Sequence, residues 1–210
     1  MAVVTSTKTA DDAATVALAH QAATHPATLV GSSINCGTKM AVDLYLYHGY
    51  VEATADTNPG TFLVQKRPND GAGTVNEDWV TVYEVSAQGT TPDTEAMTAT
   101  EPVGETTLAC ASTTGFAVRD NLYIQHTTLA SSEWAECKTF VSNTNVQLID
   151  GLTTEQTNTS VIWNDATRRH IQLNMEAGES FRVVWTHEGA TGANGHVKAL
   201  YSTHDSDTIT

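Results

Sequence analysis

The sequence predicts an all-β protein, a β-sandwich interrupted by a small inserted β domain, and three observations predict it. Roughly one residue in six is threonine. Thr and Val have branched side chains that suit a pleated, half-buried surface and lose rotamer freedom inside a helix. Short segments along most of the chain alternate apolar and polar residues with a period of two, the mark of a strand with one face buried. These segments come in two textures, longer strands towards both ends of the chain and short, closely spaced strands in the middle.

The first ten residues are small and polar and read as an N-terminal arm. In the segment from Asp11 to His20, Asp at the start caps a turn or two of helix. Val16 and Leu18 alternating with small residues suit a strand, and both readings stand. From Ala27 the β signal is firm. Lys39 to Glu52 places Val42, Leu44 and Leu46 on one face and Asp43, Tyr45 and Tyr47 on the other. Thr61 to Arg67 is a strand ended by the turn signal Pro68-Asn69-Asp70-Gly71. Trp79 to Val85 alternates again, with Trp79, Thr81 and Tyr83 opposite Val80 and Val82, and a change of phase near Val85 that suits a bulge.

Ala87 to Glu105, with Gly89, Pro92, Pro102 and Gly104, is a linker by composition. Short strands follow at Thr106–Ala111, Asn121–His126, Glu133–Val141, Asn145–Ile149 and Ser160–Trp163. Their spacing suggests a compact barrel or rolled sheet. Longer strands return at Arg168–Met175, Ser180–His187 and His196–Tyr201. The arrangement is a sandwich built from residues 1–102, with its arm at 1–10, and 165–210, into which a small β-barrel of residues 103–164 is inserted. Insertion suits an exposed loop, because domain termini often lie close together. The alternative is two sequential domains, with the last three strands in the second.

A chain of 210 residues with 40% hydrophobic content can bury a full core. Its net charge of −14, with only 10 Lys and Arg, argues against nucleic acid and anionic lipid as partners, since a phosphate backbone needs clustered cations. The acidity suits either plain solubility or docking onto a basic patch of a partner. Cys36, Cys110 and Cys137 are too few and too scattered for a disulfide framework. Cys110 and Cys137 are placed to meet across strands, and buried free thiols are the favoured reading. The N-terminus lacks the charged start and apolar run of a signal peptide, and no segment reads as a membrane span. The expected site of synthesis is a cytoplasm.

No catalytic template fits. There is no G-x-S-x-G elbow and no Walker loop, and Gly192-Ala193-Asn194-Gly195 has no following Lys. No base is marked for a cysteine nucleophile. His187, His196 and His204 are candidate zinc ligands on the last strands and tail, although His187-Glu188 does not continue to H-E-x-x-H. Asn69, Asp70, Asn76, Glu77 and Asp78 offer oxygen ligands for calcium around a Gly-rich turn, without the spacing of an EF-hand. Glu133, Glu136 and Glu179 are candidate carboxylates for glycoside hydrolysis. Tyr45, Tyr47 and Tyr50 are candidates for a sugar-binding platform or a subunit interface. The expectation is that the chain is not an enzyme, with no catalytic, metal or cofactor residue assigned.

The run GETTLACASTTGFAVRDNLYIQ, then SSEWAECKTFVSNTNVQLIDGLT and TSVIW, within Gly104–Trp163, resembles a small β module of tailed-bacteriophage structural proteins. In it Gly115 permits the turn, Phe116 and Val118 plug the barrel end, and Trp134 fills its core. The segment SFRVVWTHEGATGANGHVKALYS is similar to phage virion proteins of jelly-roll type. The resemblance implies a jelly-roll-like sandwich with an inserted barrel, a place on the outer capsid surface of a virion, and no enzymatic activity. It further implies a homo-oligomer, often a trimer, with the major capsid protein as partner. The expected function is capsid decoration, a cement subunit that stabilises the shell. The alternatives are a receptor- or carbohydrate-binding head fibre or tail protein, and a neck or tail connector.

Overall fold

The computed structural model describes residues 15–24, 27–39, 41–51, 60–67, 79–87, 92–164, 166–187 and 194–204. The N-terminal arm and the acidic turn at 69–78 lie outside these residues. The strands are β1 (Thr15–Thr24), β2 (Ala27–Val30), β3 (Ile34–Asn35), β4 (Ala41–Tyr50), β5 (Thr61–Arg67), β6 (Val80–Ser86), β7 (Thr94–Ala96), β8 (Thr107–Ala109), β9 (Asn121–Gln125), β10 (Glu133–Ser142), β11 (Asn145–Leu148), β12 (Val161–Trp163), β13 (Thr167–Asn174), β14 (Ser180–His187) and β15 (Asn194–His204). The one helical element among the described residues is a 3-10 turn at Leu129–Ser131. The protein is all-β.

Two sheets form the sandwich. One has the order β1-β15-β4-β13, and the other β2-β14-β5-β6, with β3 also on β14. Counting the eight strands of these two paths in chain order, the first pairs with the eighth, the second with the seventh, the third with the sixth and the fourth with the fifth. That is one long antiparallel hairpin rolled up on itself, the jelly-roll arrangement. The period-two pattern explains which faces meet. Val42, Leu44 and Leu46 of β4 turn inward with Val197 and Ala199 of β15. Across the gap they meet Phe62, Val64, Phe181, Val183 and Trp185 of the second sheet. Each large apolar side chain buried in this way contributes about 1.5–3 kcal/mol of burial free energy.

Residues between β6 and β13 build the third sheet, of order β7-β12-β9-β10-β11-β8. Its two edges join. Met97 bridges Cys110, Thr98 N–H donates to Ala109 O at 2.9 Å and Ala111 N–H to Ala96 O at 3.0 Å. The sheet is therefore a closed small barrel, and closure removes its open edges. β10 makes the corner, pairing β9 over Glu133–Glu136 and β11 from Cys137 onward. Met97, Leu108, Leu122, Ile124, Cys137, Val146, Leu148 and Ile162 fill a core separate from that of the sandwich. At the neck Asn164 ties entry to exit. Asp93 N–H donates to its Oδ1 at 2.7 Å, and its own N–H donates to Asp93 O at 3.1 Å.

Several expectations change. The segment from Asp11 to His20 is a strand from Thr15 onward, paired with β15, because an edge partner outweighs local helix signals. The stretch read as a linker contains β7, which pairs β12 through Thr94–Ala96. In β6 the register shifts between Val64 and Gln65 of its partner, so the bulge falls at Val82 rather than near Val85. This pairs Tyr83 with Val64 and Thr81 with Gln65. Phe116 is buried in the barrel core, but Val118 is 52% exposed and plugs nothing. Trp134 does not fill the barrel. Its neighbours Glu133 and Ala135 face inward opposite Ile124 and Leu122, so alternation sends Trp134 outward.

Candidate functional site

The residues singled out by sequence do not converge. Glu133 closes one mouth of the barrel. Its carboxylate accepts from Thr153 N–H at 2.8 Å, the Thr153 hydroxyl at 2.5 Å, the Thr154 hydroxyl at 3.1 Å and Gln156 Nε2 at 3.0 Å. Glu136 lies on the barrel's outside, 2.9 Å from Arg119 and 3.9 Å from Arg168. Glu179 accepts from Glu176 N–H at 2.8 Å and pairs with Lys66 at 2.6 Å. No two of the three share a cleft of the kind glycoside hydrolysis requires. Glu133→Ala is expected to lower stability by about 3 kcal/mol, because buried donors lose their acceptor. Glu136→Ala is expected to cost under about 1 kcal/mol, its pairs being at the surface. Urea unfolding followed by circular dichroism measures both.

The three candidate histidines also separate. His187 is buried in the sandwich near His48. His196 hydrogen-bonds Tyr123, and His204 hydrogen-bonds Asp43. Among the described residues no group of three or more His, Cys, Asp or Glu is arranged to hold a metal ion. The cysteines are free and buried, with Cys110 and Cys137 both in the barrel core. Burial, with Glu179 nearby, pushes the Cys36 thiol up to about 11. Tyr45, Tyr47 and Tyr50 form no common platform. Tyr45 stacks on His170 at 4.8 Å, Tyr47 meets Trp134 at 5.4 Å, and Tyr50 points into the sandwich, only 2% exposed.

Folding assembles two constellations that no local pattern announces, both on the outer face of the β1-β15-β4-β13 sheet. At one end, Asp43 accepts from His170 Nε2 at 3.0 Å and from His204 Nε2 at 2.6 Å. Burial pushes its carboxyl up, but these hydrogen bonds outweigh burial and hold it below the usual carboxylate range. The partners stand 127 and 161 residues away in the chain and are aligned by the registers of β13 and β15 on β4.

At the other end the barrel docks. Tyr123 of β9 lies flat against Gly49, where an added Cβ would stand 2.3 Å from its Cγ. The glycine is what permits the approach. The Tyr123 hydroxyl lies 2.5 Å from Nδ1 of His196 and 3.3 Å from Nε2 of His20. The single phenolic hydrogen is assigned to the shorter contact, so it donates to a neutral His196 while His20 Nε2–H donates to the phenol oxygen. Trp134 packs on Tyr123 at 4.7 Å and on His20 at 4.9 Å. Burial, then the charges of His196 and Lys198, hold His20 down to about 4. Burial lowers His196 and Lys198 as well, with Glu133 opposing the shift at Lys198, and raises the Tyr123 phenol.

Beside the neck is a polar cavity of about 170 Å³ lined by Ser86, Arg119, Asn121, Thr167, Arg168 and Arg169. Arg119 is the non-glycine residue with a positive φ, 77°, among those described.

The remaining surface feature is β6. It ends its sheet, pairing β5 on one side, and Val80 (61% exposed), Val82 (40%) and Tyr83 (46%) stand in solvent. No helix among the described residues is long and apolar enough to cross a membrane. No protein family matches the chain, and no curated protein or solved structure matches it.

Proposed function

We propose that the chain is a structural binding subunit, a decoration or cement protein on the outside of a bacteriophage head. In this reading it braces the shell through many weak contacts with the major capsid protein. The observation that carries it is the edge at β6, which among the described residues pairs no strand on its outer side. An edge strand presents a row of unpaired backbone N–H and C=O groups, which another extended strand completes. Proteins that stay alone guard such edges with Lys, Pro, charges or bulges, and β6 has no Lys or Pro, only Glu84 and the bulge at Val82. The occupant is an extended segment of the shell subunit, and a net charge of −14 favours a basic one. Repetition around the head, with the subunit itself a trimer, multiplies a modest contact into firm attachment. The resemblance of the Gly104–Trp163 run to phage structural modules supports the same reading.

The test is binding to expanded, DNA-free heads. Val80→Lys with Val82→Lys places charge on the edge and leaves the core untouched. The expected result is a loss of about tenfold or more in binding, with an unchanged circular dichroism spectrum and melting temperature. Binding equal to that of the unaltered chain overturns the edge as the docking site. Binding to glycans with no binding to heads overturns the decoration reading in favour of an adhesion protein.

A further inference from the structure

The barrel touches the sandwich through Tyr123 and Trp134 on one side and His20, Tyr47, Gly49 and His196 on the other. We propose that this cluster is an acid-released latch, which holds the barrel on the sandwich at neutral pH and frees it when His20 and His196 take up protons.

The hydrogen bonds set the direction. With the phenolic hydrogen on its shorter contact, His196 Nδ1 is the acceptor in the docked form and carries no proton. Protonation turns that nitrogen into a donor facing a hydroxyl already approached by His20 at 3.3 Å. The phenol has to turn its own hydrogen away, and two cationic rings then stand with centroids 5.9 Å apart. Lys198 on β15 adds a third positive charge acting on His20. The charged and titratable neighbours do not offset this. From β10, Glu133 faces Lys198, but Thr153, Thr154 and Gln156 hold its carboxylate in the barrel mouth. From β4, His48 lies on the inner side and repels His196 when both are charged. From β9, the Tyr123 phenol stays neutral, its ionisation pushed up by burial. At the rim, Arg168 reaches Glu136 only at 3.9 Å, and Arg119 occupies that carboxylate at 2.9 Å.

The sign follows from linkage. Docked, His20 and His196 are held below the ordinary value of 6.5; released into water, they return to it. Below pH 6.5 the released form therefore binds more protons, and falling pH favours release. Moving His20 from 6.5 to about 4 raises the released-to-docked ratio by at most about 30-fold between neutrality and pH 5, and His196 adds to it. Release leaves both cores intact, because each is filled by its own side chains.

The experiment is amide NMR with small-angle X-ray scattering on the full chain between pH 7.5 and 5.0. The expected result is that the amides of Gly49 and Tyr123 shift and the maximum dimension grows, while Leu108 and Val146 in the barrel and Val183 in the sandwich keep their positions. The variant His20→Gln with His196→Gln is expected to lose this pH response. If that variant fails to fold, Tyr123→Phe, which keeps the ring and removes the shared hydroxyl, is expected to release at a higher pH than the unaltered chain. Three outcomes overturn the latch: Gly49 and Tyr123 unmoved at pH 5.0, both cores unfolding together with the joint, or the two histidines titrating at their ordinary value in the docked chain.

Discussion

Gly60→Ala is expected to destabilise the sandwich by about 4 kcal/mol, lowering the melting temperature by about 10 °C. Two effects add. Gly60 has φ +118°, a conformation that costs a side chain strain, and its added Cβ would stand 2.2 Å from Cζ2 of Trp185. Trp185 cannot step aside. It is fully buried, stacks on His48 with centroids 4.9 Å apart, and meets Phe62 edge-on at 4.7 Å. Moving its ring would displace the largest side chain in a core packed as densely as a crystal. Gly37→Ala is the control. Gly37 has φ +58° but nothing within 4 Å of its Cβ position, so only local backbone strain remains, about 1 kcal/mol. Thermal unfolding of the two variants side by side checks this. Equal losses would show that packing against Trp185 is not what the glycine serves.

Acid is expected to weaken the folded chain, and on the inner side of the sandwich the cause is His48, beside the share of His20 and His196 at the barrel joint. The ring is completely buried, and burial, with His187 and His196 nearby, holds it down to about 3. Among the described residues its Nδ1 has no hydrogen-bond partner that would favour the charged form. A histidine depressed in the folded state binds its proton more readily in the unfolded chain, so its stabilising effect is complete above pH 6.5 and declines as pH falls towards 3. The loss is about 2 kcal/mol at pH 5 from His48 alone, and about 1.4 kcal/mol more for each further unit. Asp43 does not confuse this window. Its carboxyl is held below 3.8, so its contribution is present throughout and fades only in stronger acid. Urea unfolding at pH 7.5, 6 and 5 gives the slope directly. His48→Phe, which keeps a ring on Trp185, is expected to reduce that slope by His48's share, about half between pH 7.5 and 5, whatever it does to stability at neutral pH. An unchanged slope in the variant would remove His48 from the account.

This acid response differs from release of the barrel. His48 lies on the inner side of β4 and loosens the sandwich itself. His20 and His196 lie on the outer side, where the barrel docks. The first appears as a fall in unfolding free energy. The second appears as a change at Gly49 and Tyr123 while both cores stay folded.

The strands were legible in the sequence wherever alternation was long. Val42, Leu44 and Leu46 lie inward and Asp43, Tyr45 and Tyr47 outward, as their spacing predicted, because a strand turns successive side chains to opposite faces whatever its partners are. Strands also form at Thr61–Arg67 and Ser180–His187, as the sequence predicts. Alternation failed where a strand was too short to alternate, as at Thr94–Ala96, and where a bulge reset the phase, as at Val82. Trp134 shows the limit in one residue. A large aromatic on a short strand was read as barrel core, yet its two neighbours claimed the inner face and sent it out to the sandwich.

By itself, then, the sequence determined an all-β chain, its acidity, and the inward and outward residues of its longest strands. Those properties depend on composition and on a period of two, and both are local. Only the tertiary structure decided that eight of these strands roll into a jelly roll, that the middle strands close into a barrel, and that His170 and His204 converge on Asp43. It alone set Tyr123 between His20 and His196, from 103 residues before it and 73 after it. The reason is physical. Strand pairing is a contest among distant segments with similar local preferences, and register, not residue type, chooses which side chains meet.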